Sequence, residues 1–247
     1  MLITKYRFRI CMLALIVSVL GNVAAFGILK NCYVEARTAA VFPSHDRYSA
    51  QASQVLPENG KKRIVLFGDS RIEQWKSFPT PKNADLLVRS VPGETTAQMR
   101  MRFDRDVLAL NPDIVVLQLG INDLVAIGAL PDRQAEIAGQ CAKNIKYFVD
   151  ALGARNIRTL LLTIIPPDRP SVWRMPVWSD QISVEVEKLN RYWMAVPNST
   201  VLHVIDTRSL LQDAQGHWRA DVTADTLHLT QKGYEYLNVA VLPLLQN

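Results

Sequence analysis

The sequence predicts an α/β domain built on a parallel sheet of about five strands, preceded by an apolar N-terminal helix. Three observations carry this. From residue 61 onward, short apolar runs alternate with stretches of helical period. Residues 114–119 form one continuous apolar run, as a strand covered on both faces requires. Residues 10–29 contain no charge at all. A chain of 247 residues, 49% hydrophobic and 21% charged, suits one domain with a sizeable core plus an extra segment.

Taken in order, residues 10–29 would be about 30 Å long as a helix, enough to cross a bilayer. The flanking Lys5, Arg7 and Arg9 predict a cytoplasmic N-terminus and a periplasmic or exterior domain. Two readings of residues 1–30 stay open. A signal anchor keeps the helix; a signal peptide is cleaved near Ala25, after the small residues Val23-Ala24-Ala25. The anchor is favoured, because apolar character resumes at Phe26, Ile28 and Leu29. A lipoprotein is disfavoured, since Leu29-Lys30-Asn31-Cys32 sets a bulky charge where small residues are needed. Residues 31–60 mix Ala, Ser, Gln and Pro without sustained periodicity and read as a linker, with a short helix within it left open, before a domain over 61–247.

Within the domain, residues 63–70 read as a buried strand, a tight turn at Gly68-Asp69-Ser70 and a helix start. Residues 86–91 are a second strand. Thr95 caps a helix that places Met99, Phe103, Val107 and Leu110 on one face, and Asn111-Pro112 ends it. Residues 114–119 are the third strand. Asp132 is expected to cap the next helix, with Ile137, Cys141, Ile145, Phe148 and Leu152 as its stripe and Gly153 as its stop. Residues 158–165 form a strand, and 166–179 a loop with four prolines and two tryptophans. Asp180 is expected to cap a helix with Ile182, Val186, Leu189, Trp193 and Val196 on one side. Residues 201–205 are the last strand. Thr230 caps a final helix facing inward through Tyr234, Leu237, Val241 and Leu244.

The net charge of +5 says little about nucleic acid. Lys5, Arg7, Arg9 and Lys30 lie in the first thirty residues. Removing those four from 28 Lys and Arg leaves near-neutrality against 23 Asp and Glu. No basic cluster interleaved with aromatics supports a nucleic-acid partner. Cys11, Cys32 and Cys141 have no metal-ligand spacing, so no metal and no cofactor are expected. A bond between Cys32 and Cys141 stays open.

In a parallel sheet every strand's carboxyl end points to one rim, where open α/β sheets place their ligand crevices. Four segments would gather there: Gly68-Asp69-Ser70, residues 90–93, Gly120-Ile121-Asn122-Asp123, and residues 225–228 ahead of the Thr230 cap. Each alone has a plain reading as a turn or cap: Gly93 after Pro92 as a type II turn, Asn122-Asp123 as an Asx turn. His228 alone of the four histidines has a carboxylate three residues earlier and a capped helix behind it. His45 falls in the linker, His203 in a strand as a satisfied core or edge residue, and His217 in a solvated turn. Asp69, Asp123 and Asp206 suit backbone bonds at turns and strand ends.

With these four blocks in order over residues 63–245, the sequence resembles the SGNH (GDSL-type) hydrolases, named for a Ser, Gly, Asn and His. The GxSxG elbow of the α/β-hydrolase fold is absent. The resemblance implies a three-layer α/β/α, flavodoxin-like fold. It implies Ser70 as nucleophile, His228 as its general base and Asp225 as the group orienting the imidazole. It also implies an oxyanion hole from the Ser70 and Gly93 N–H groups and the Asn122 amide. These residue types suit the chemistry: a serine hydroxyl needs a base, and a carboxylate fixes the base's tautomer. Arg71, Trp173, Arg174 and Trp178 are candidate substrate contacts, though for Arg71 a solvated or ion-paired arginine is the favoured reading.

The expected activity is ester hydrolysis through an acyl-enzyme, on a small-molecule, lipid or carbohydrate ester at the cell envelope. Deacetylation of carbohydrate is slightly favoured, because no long apolar stripe near the motifs advertises an acyl channel. The alternatives are acyl transfer to a polysaccharide hydroxyl by the same residues, and a catalytically idle, membrane-tethered binding module.

Overall fold

The computed structural model describes residues 2–43 and 60–246. Five strands form one parallel sheet: β1 (Lys62–Gly68), β2 (Ala84–Ser90), β3 (Ile114–Gln118), β4 (Arg158–Leu162) and β5 (Leu202–Ile205), in the order β2-β1-β3-β4-β5. That is the flavodoxin-like order, which reverses direction beside β1. Gly68 pairs with Ser90 on one side and Gln118 on the other. The loops leaving these three strands therefore start at one level of the rim.

Alternate residues of the strands feed two cores. Val65, Phe67, Val115, Leu117 and Leu161 pack under α3 (Thr96–Asp106), α5 (Gln134–Gly153) and α6 (Gln181–Met194). Ile64, Leu66, Val116, Leu160 and Leu162 pack under α8 (Gln231–Gln246) and the short α2 (Ser70–Glu73). Helices on both faces explain why the strands carry no polar face. Two further short helices, α4 (Ile121–Val125) and α7 (Thr207–Leu211), follow β3 and β5 at the rim.

Several helix ends differ from expectation. Thr95 caps α3 as expected, in a reciprocal capping box with Gln98. Asp132 is not a cap: it lies inside a 3-10 turn, Pro131–Arg133, whose proline already supplies helical φ, and α5 starts after it. Gly153 is helical; the left-handed residue beyond α5 is Asn156, at φ 54°. Asp180 is itself helical, so its carboxylate makes no cap bond, and the Ser179 hydroxyl accepts from the Gln181 N–H at 3.2 Å instead. Leu245 rather than Leu244 is the fully buried residue at the end of α8.

The N-terminal helix α1 (Leu2–Val41) runs through residues 31–41, which the sequence suggested were linker. The domain holds that end. Val41 is buried in the first core, the Ala40 carbonyl accepts from Thr95 Oγ1 at 2.5 Å, and the Arg133 guanidinium lies 3.7 Å from the Phe42 ring centroid. The rest of the expected linker, with His45, lies outside the described residues. Arg9–Val41 is long and apolar enough to cross a membrane by length and composition. Cys32 is exposed on α1 and Cys141 is buried beneath Gly120, so the two are free thiols.

Candidate active site

The site begins where β1 ends. A Cβ on Gly68 would lie 2.1 Å from the Gln118 carbonyl oxygen, so only glycine lets β1 pass β3 this closely. Asp69 then caps α2 by accepting from the Arg71 N–H at 2.9 Å. Ser70 is the first helical residue, where the N–H has no intrahelical acceptor.

His228 approaches from the loop before α8. Its Nε2 lies 2.9 Å from Ser70 Oγ, and its Nδ1 lies 2.8 Å from Asp225 Oδ2. The other Asp225 oxygen accepts from the Leu227 and His228 N–H groups at 2.7 and 3.0 Å. Partial burial pushes the Asp225 carboxyl up, but these hydrogen bonds outweigh it and hold the group at about 2. Three residues named from the sequence thus form one hydrogen-bonded chain.

Arg71 turns inward and is 1% exposed, which corrects its reading as a substrate contact or a solvated arginine. Its Nε donates to the Leu227 carbonyl and its Nη1 to the Ile165 carbonyl, both at 2.8 Å. It thereby ties the serine's helix to the histidine's loop and to the end of β4. Burial lowers its pKa to about 10, against the opposing pull of Asp69. The Tyr234 hydroxyl donates to the Arg71 carbonyl at 2.7 Å, fixing α8 to the same point.

The second and third blocks meet beside Ser70. Gly93 is exposed at φ 78°, a left-handed turn position that favours glycine. The next residue, Glu94, is buried and paired with Arg102 at 2.5 Å; Arg102 also pairs with Asp106 at 2.9 Å and donates to the Arg89 carbonyl. Asn122 Nδ2 donates to Asp69 Oδ2 at 3.2 Å and to the Glu94 carbonyl at 3.1 Å. Both amide hydrogens are therefore engaged, one on the serine's block and one on the glycine's. Asp123 accepts from the Thr96 N–H and hydroxyl at 2.8 and 2.6 Å, and Asn144 donates to that hydroxyl at 3.1 Å. Burial drives the Asp123 carboxyl up to about 7.

The supporting residues were the harder ones to foresee. Arg102 sits between Met99 and Phe103 on the buried stripe of α3. A charge on an apolar face was the available signal that a buried partner such as Glu94 must exist. Asp206 caps α7 through the Arg208 N–H, as its type suggests. His203 departs from expectation: its Nδ1 is buried without a partner, and burial, with Arg158 nearby, lowers its pKa. His217 is exposed, 3.5 Å from Asp213.

The two tryptophans named as candidate substrate contacts part company. Trp178 packs against the core under α3, α5 and α6. Trp173 is 91% exposed and, with Arg174, lines a groove against α1. Among the described residues, no group of three or more His, Cys, Asp and Glu is gathered as a metal site would need.

The model of the GDSL-like lipase/acylhydrolase family matches residues 66–236. An isoamyl acetate-hydrolyzing esterase 1 homolog of Homo sapiens is 25% identical over 210 residues, covering 74% of this chain and 81% of that one. An uncharacterized lipoprotein of Bacillus subtilis is 29% identical over 124 residues, covering 43% of this chain but only half of its own length. Among solved structures, a GDSL-like lipase from Bacteroides thetaiotaomicron superposes with a TM-score of 0.60 at 21% identity, over 81% of this chain and 96% of that one. That likeness is one of fold.

Proposed function

The chain belongs to the GDSL-like lipase/acylhydrolase family and is a carboxylic ester hydrolase, and on that premise we propose that Ser70, His228 and Asp225 carry the reaction. The observation that carries this reading is the relay Ser70 Oγ–His228 Nε2–His228 Nδ1–Asp225 Oδ2, at 2.9 and 2.8 Å. Asp225, ionised above pH about 2, accepts a hydrogen bond from the Nδ1–H of His228, which keeps the proton on Nδ1 and leaves the Nε2 lone pair free to act as a base. As Ser70 Oγ attacks the ester carbonyl, Nε2 takes its proton, then passes it to the departing alkoxide. The acyl group stays on Ser70. Water, deprotonated by the same nitrogen, attacks this acyl-enzyme; the acyl–Oγ bond breaks, Nε2 returns the proton to Ser70 Oγ, and the acid is released.

The negative charge on the tetrahedral oxygen would fall to the N–H groups of Ser70 and Gly93 and to the Asn122 amide. Among the described residues neither N–H has an acceptor in the way. Asn122 would give up its longer bond, the one to Asp69, when the oxyanion forms. Each such donor is worth ~3 kcal/mol of barrier.

For the substrate we propose a short acyl ester, an acetyl group on an envelope carbohydrate or small alcohol. The human relative's name includes hydrolysis of an acetate ester, which favours a short acyl group. The domain would sit outside the cytoplasmic membrane, held by α1, whose basic flank of Arg7 and Arg9 favours the cytoplasmic side.

A fluorophosphonate label tests the assignment. Wild type should be labelled and Ser70→Ala should not. Labelling that survives Ser70→Ala, or folded wild type that takes no label, would overturn it.

A further inference from the structure

The loop between β4 and α6 carries exposed groups that the proposed ester cleavage does not use. Its tip carries Val172, Trp173 and Met175, which are 74%, 91% and 63% exposed. Three neighbouring apolar side chains left in water on a helix-covered domain mark a contact surface. The tip is not a free end. Its root is fixed to the histidine's loop: the Asp168 N–H donates to the Thr226 carbonyl at 2.8 Å, and the Ser171 N–H to Thr226 Oγ1 at 3.3 Å.

What stands opposite identifies the partner. The loop and α1 enclose a groove of about 550 Å³, lined by Phe26, Leu29, Tyr33, Trp173, Pro176 and Val177, with Lys30, Arg37 and Arg174 around it. Phe26 and Leu29 lie in the last four residues of the uncharged span, and Lys30 is the first charge after it. The groove therefore lies at the height where a bilayer's hydrocarbon gives way to headgroups, the level at which Trp and Tyr are enriched. Among the described residues no carboxylate pairs with Lys30, Arg37 or Arg174. Three cations beside an apolar trough match a phosphate above an acyl chain.

We propose that this groove and the tip at Val172, Trp173 and Met175 bind the phospholipid of the bilayer that α1 crosses. Phosphate meets Lys30, Arg37 and Arg174, and the tip enters the headgroup layer. The domain then has a fixed orientation. Thr95, which bonds Ala40 at the end of α1, directly follows the Gly93 turn of the rim. Leu29 and Ala40 are roughly 16 Å apart along a helix. The rim bearing Ser70 is thus held close to the membrane surface, which favours esters presented there. The proposal rests on α1 crossing a membrane and not on the identity of the catalytic residues.

The test uses the full chain in phosphatidylglycerol-containing nanodiscs with brominated acyl chains, whose bromines quench nearby indoles. Trp173 is by far the most exposed tryptophan, and Trp173→Phe keeps an aromatic at a position with few contacts to lose. Wild-type emission should drop relative to non-brominated discs, and most of that drop should disappear in Trp173→Phe. Replacing Lys30, Arg37 and Arg174 together by glutamine should reduce the drop as well. Equal fractional quenching in wild type and Trp173→Phe, in protein that co-elutes with the discs, would overturn the groove. Failure to co-elute would overturn the membrane reading on which it rests. Fluorophosphonate labelling of Ser70 measures the separate, catalytic proposal.

Discussion

Asp225 and Asp123 are both carboxylates at the sheet's carboxyl rim, each accepting a side-chain donor and a backbone N–H. Their acidities are driven in opposite directions. Asp225 is half exposed, meets the His228 ring and two N–H groups, and settles at about 2. Asp123 is 1% exposed, meets Thr96 alone, and rises to about 7. The difference teaches that accepting hydrogen bonds does not by itself keep a carboxylate acidic; access to water decides how much those bonds must first repay. It also separates a carboxylate that stays charged beside the proposed base from one whose charge is a burden to the fold.

The same substitution at the two positions should therefore have unlike effects. Asp225→Asn keeps the shape but offers His228 the wrong tautomeric partner, and ester turnover should fall by ~10⁴ with the fold retained. Steady-state rates on a short acyl nitrophenyl ester read this directly. A loss below ten-fold would remove Asp225 from the relay. Next in size, Asn122→Ala should cost ~10²–10³ in kcat, since it removes one of the proposed oxyanion donors. A change in KM alone would make Asn122 only a strut between Asp69 and Glu94.

Asp123→Asn should act on stability and its pH dependence. The folded pKa of about 7 lies above the ordinary 3.8. The folded state therefore binds this proton more tightly, and the stability it confers is present below pH about 4 and lost as pH rises through 7. Asp225 has the reverse sign: its contribution is present above pH 3.8 and lost as pH falls through about 2. Melting curves of Asp123→Asn between pH 4 and pH 7 should thus be flatter than wild type, an interval set by the two pKa values. An unchanged slope would place the sensitive group elsewhere, with buried Asp69, also raised by burial, the first to examine. The smallest effect expected is that of Thr96→Val, about 1–3 kcal/mol by denaturant melts, for leaving Asp123 and Asn144 short of a partner.

The same contrast explains what could be read before any coordinates. Ser70, Asn122, Asp225 and His228 stand in short motifs beside strong turn and cap signals, so the places of the first two after strands, and of the last two in the loop before the final helix, followed from local chemistry. The strands followed because two covered faces demand unbroken apolar runs, such as residues 114–118. Asp123 was legible as structural, but not its burial, because Thr96 and Asn144 come from other elements 27 and 21 residues away in the chain. Arg71 was misread for a like reason. Next to a candidate nucleophile it suggested a substrate contact, yet its partners, Ile165 and Leu227, are 94 and 156 residues distant. Asp132 and Asp180 failed as caps because a proline turn and a serine took over their task. The extension of α1 to Val41 depends on Thr95 and Arg133, which no local pattern around residue 35 announces.

The central claim is that Ser70 carries the acyl group. Rapid quenching of the protein with a short acyl nitrophenyl ester, followed by peptide mass mapping, reads it most directly. An acyl adduct confined to the Ser70 peptide, absent from Ser70→Ala together with turnover, is the predicted result. Turnover that persists in Ser70→Ala, or an adduct on another residue, would contradict it.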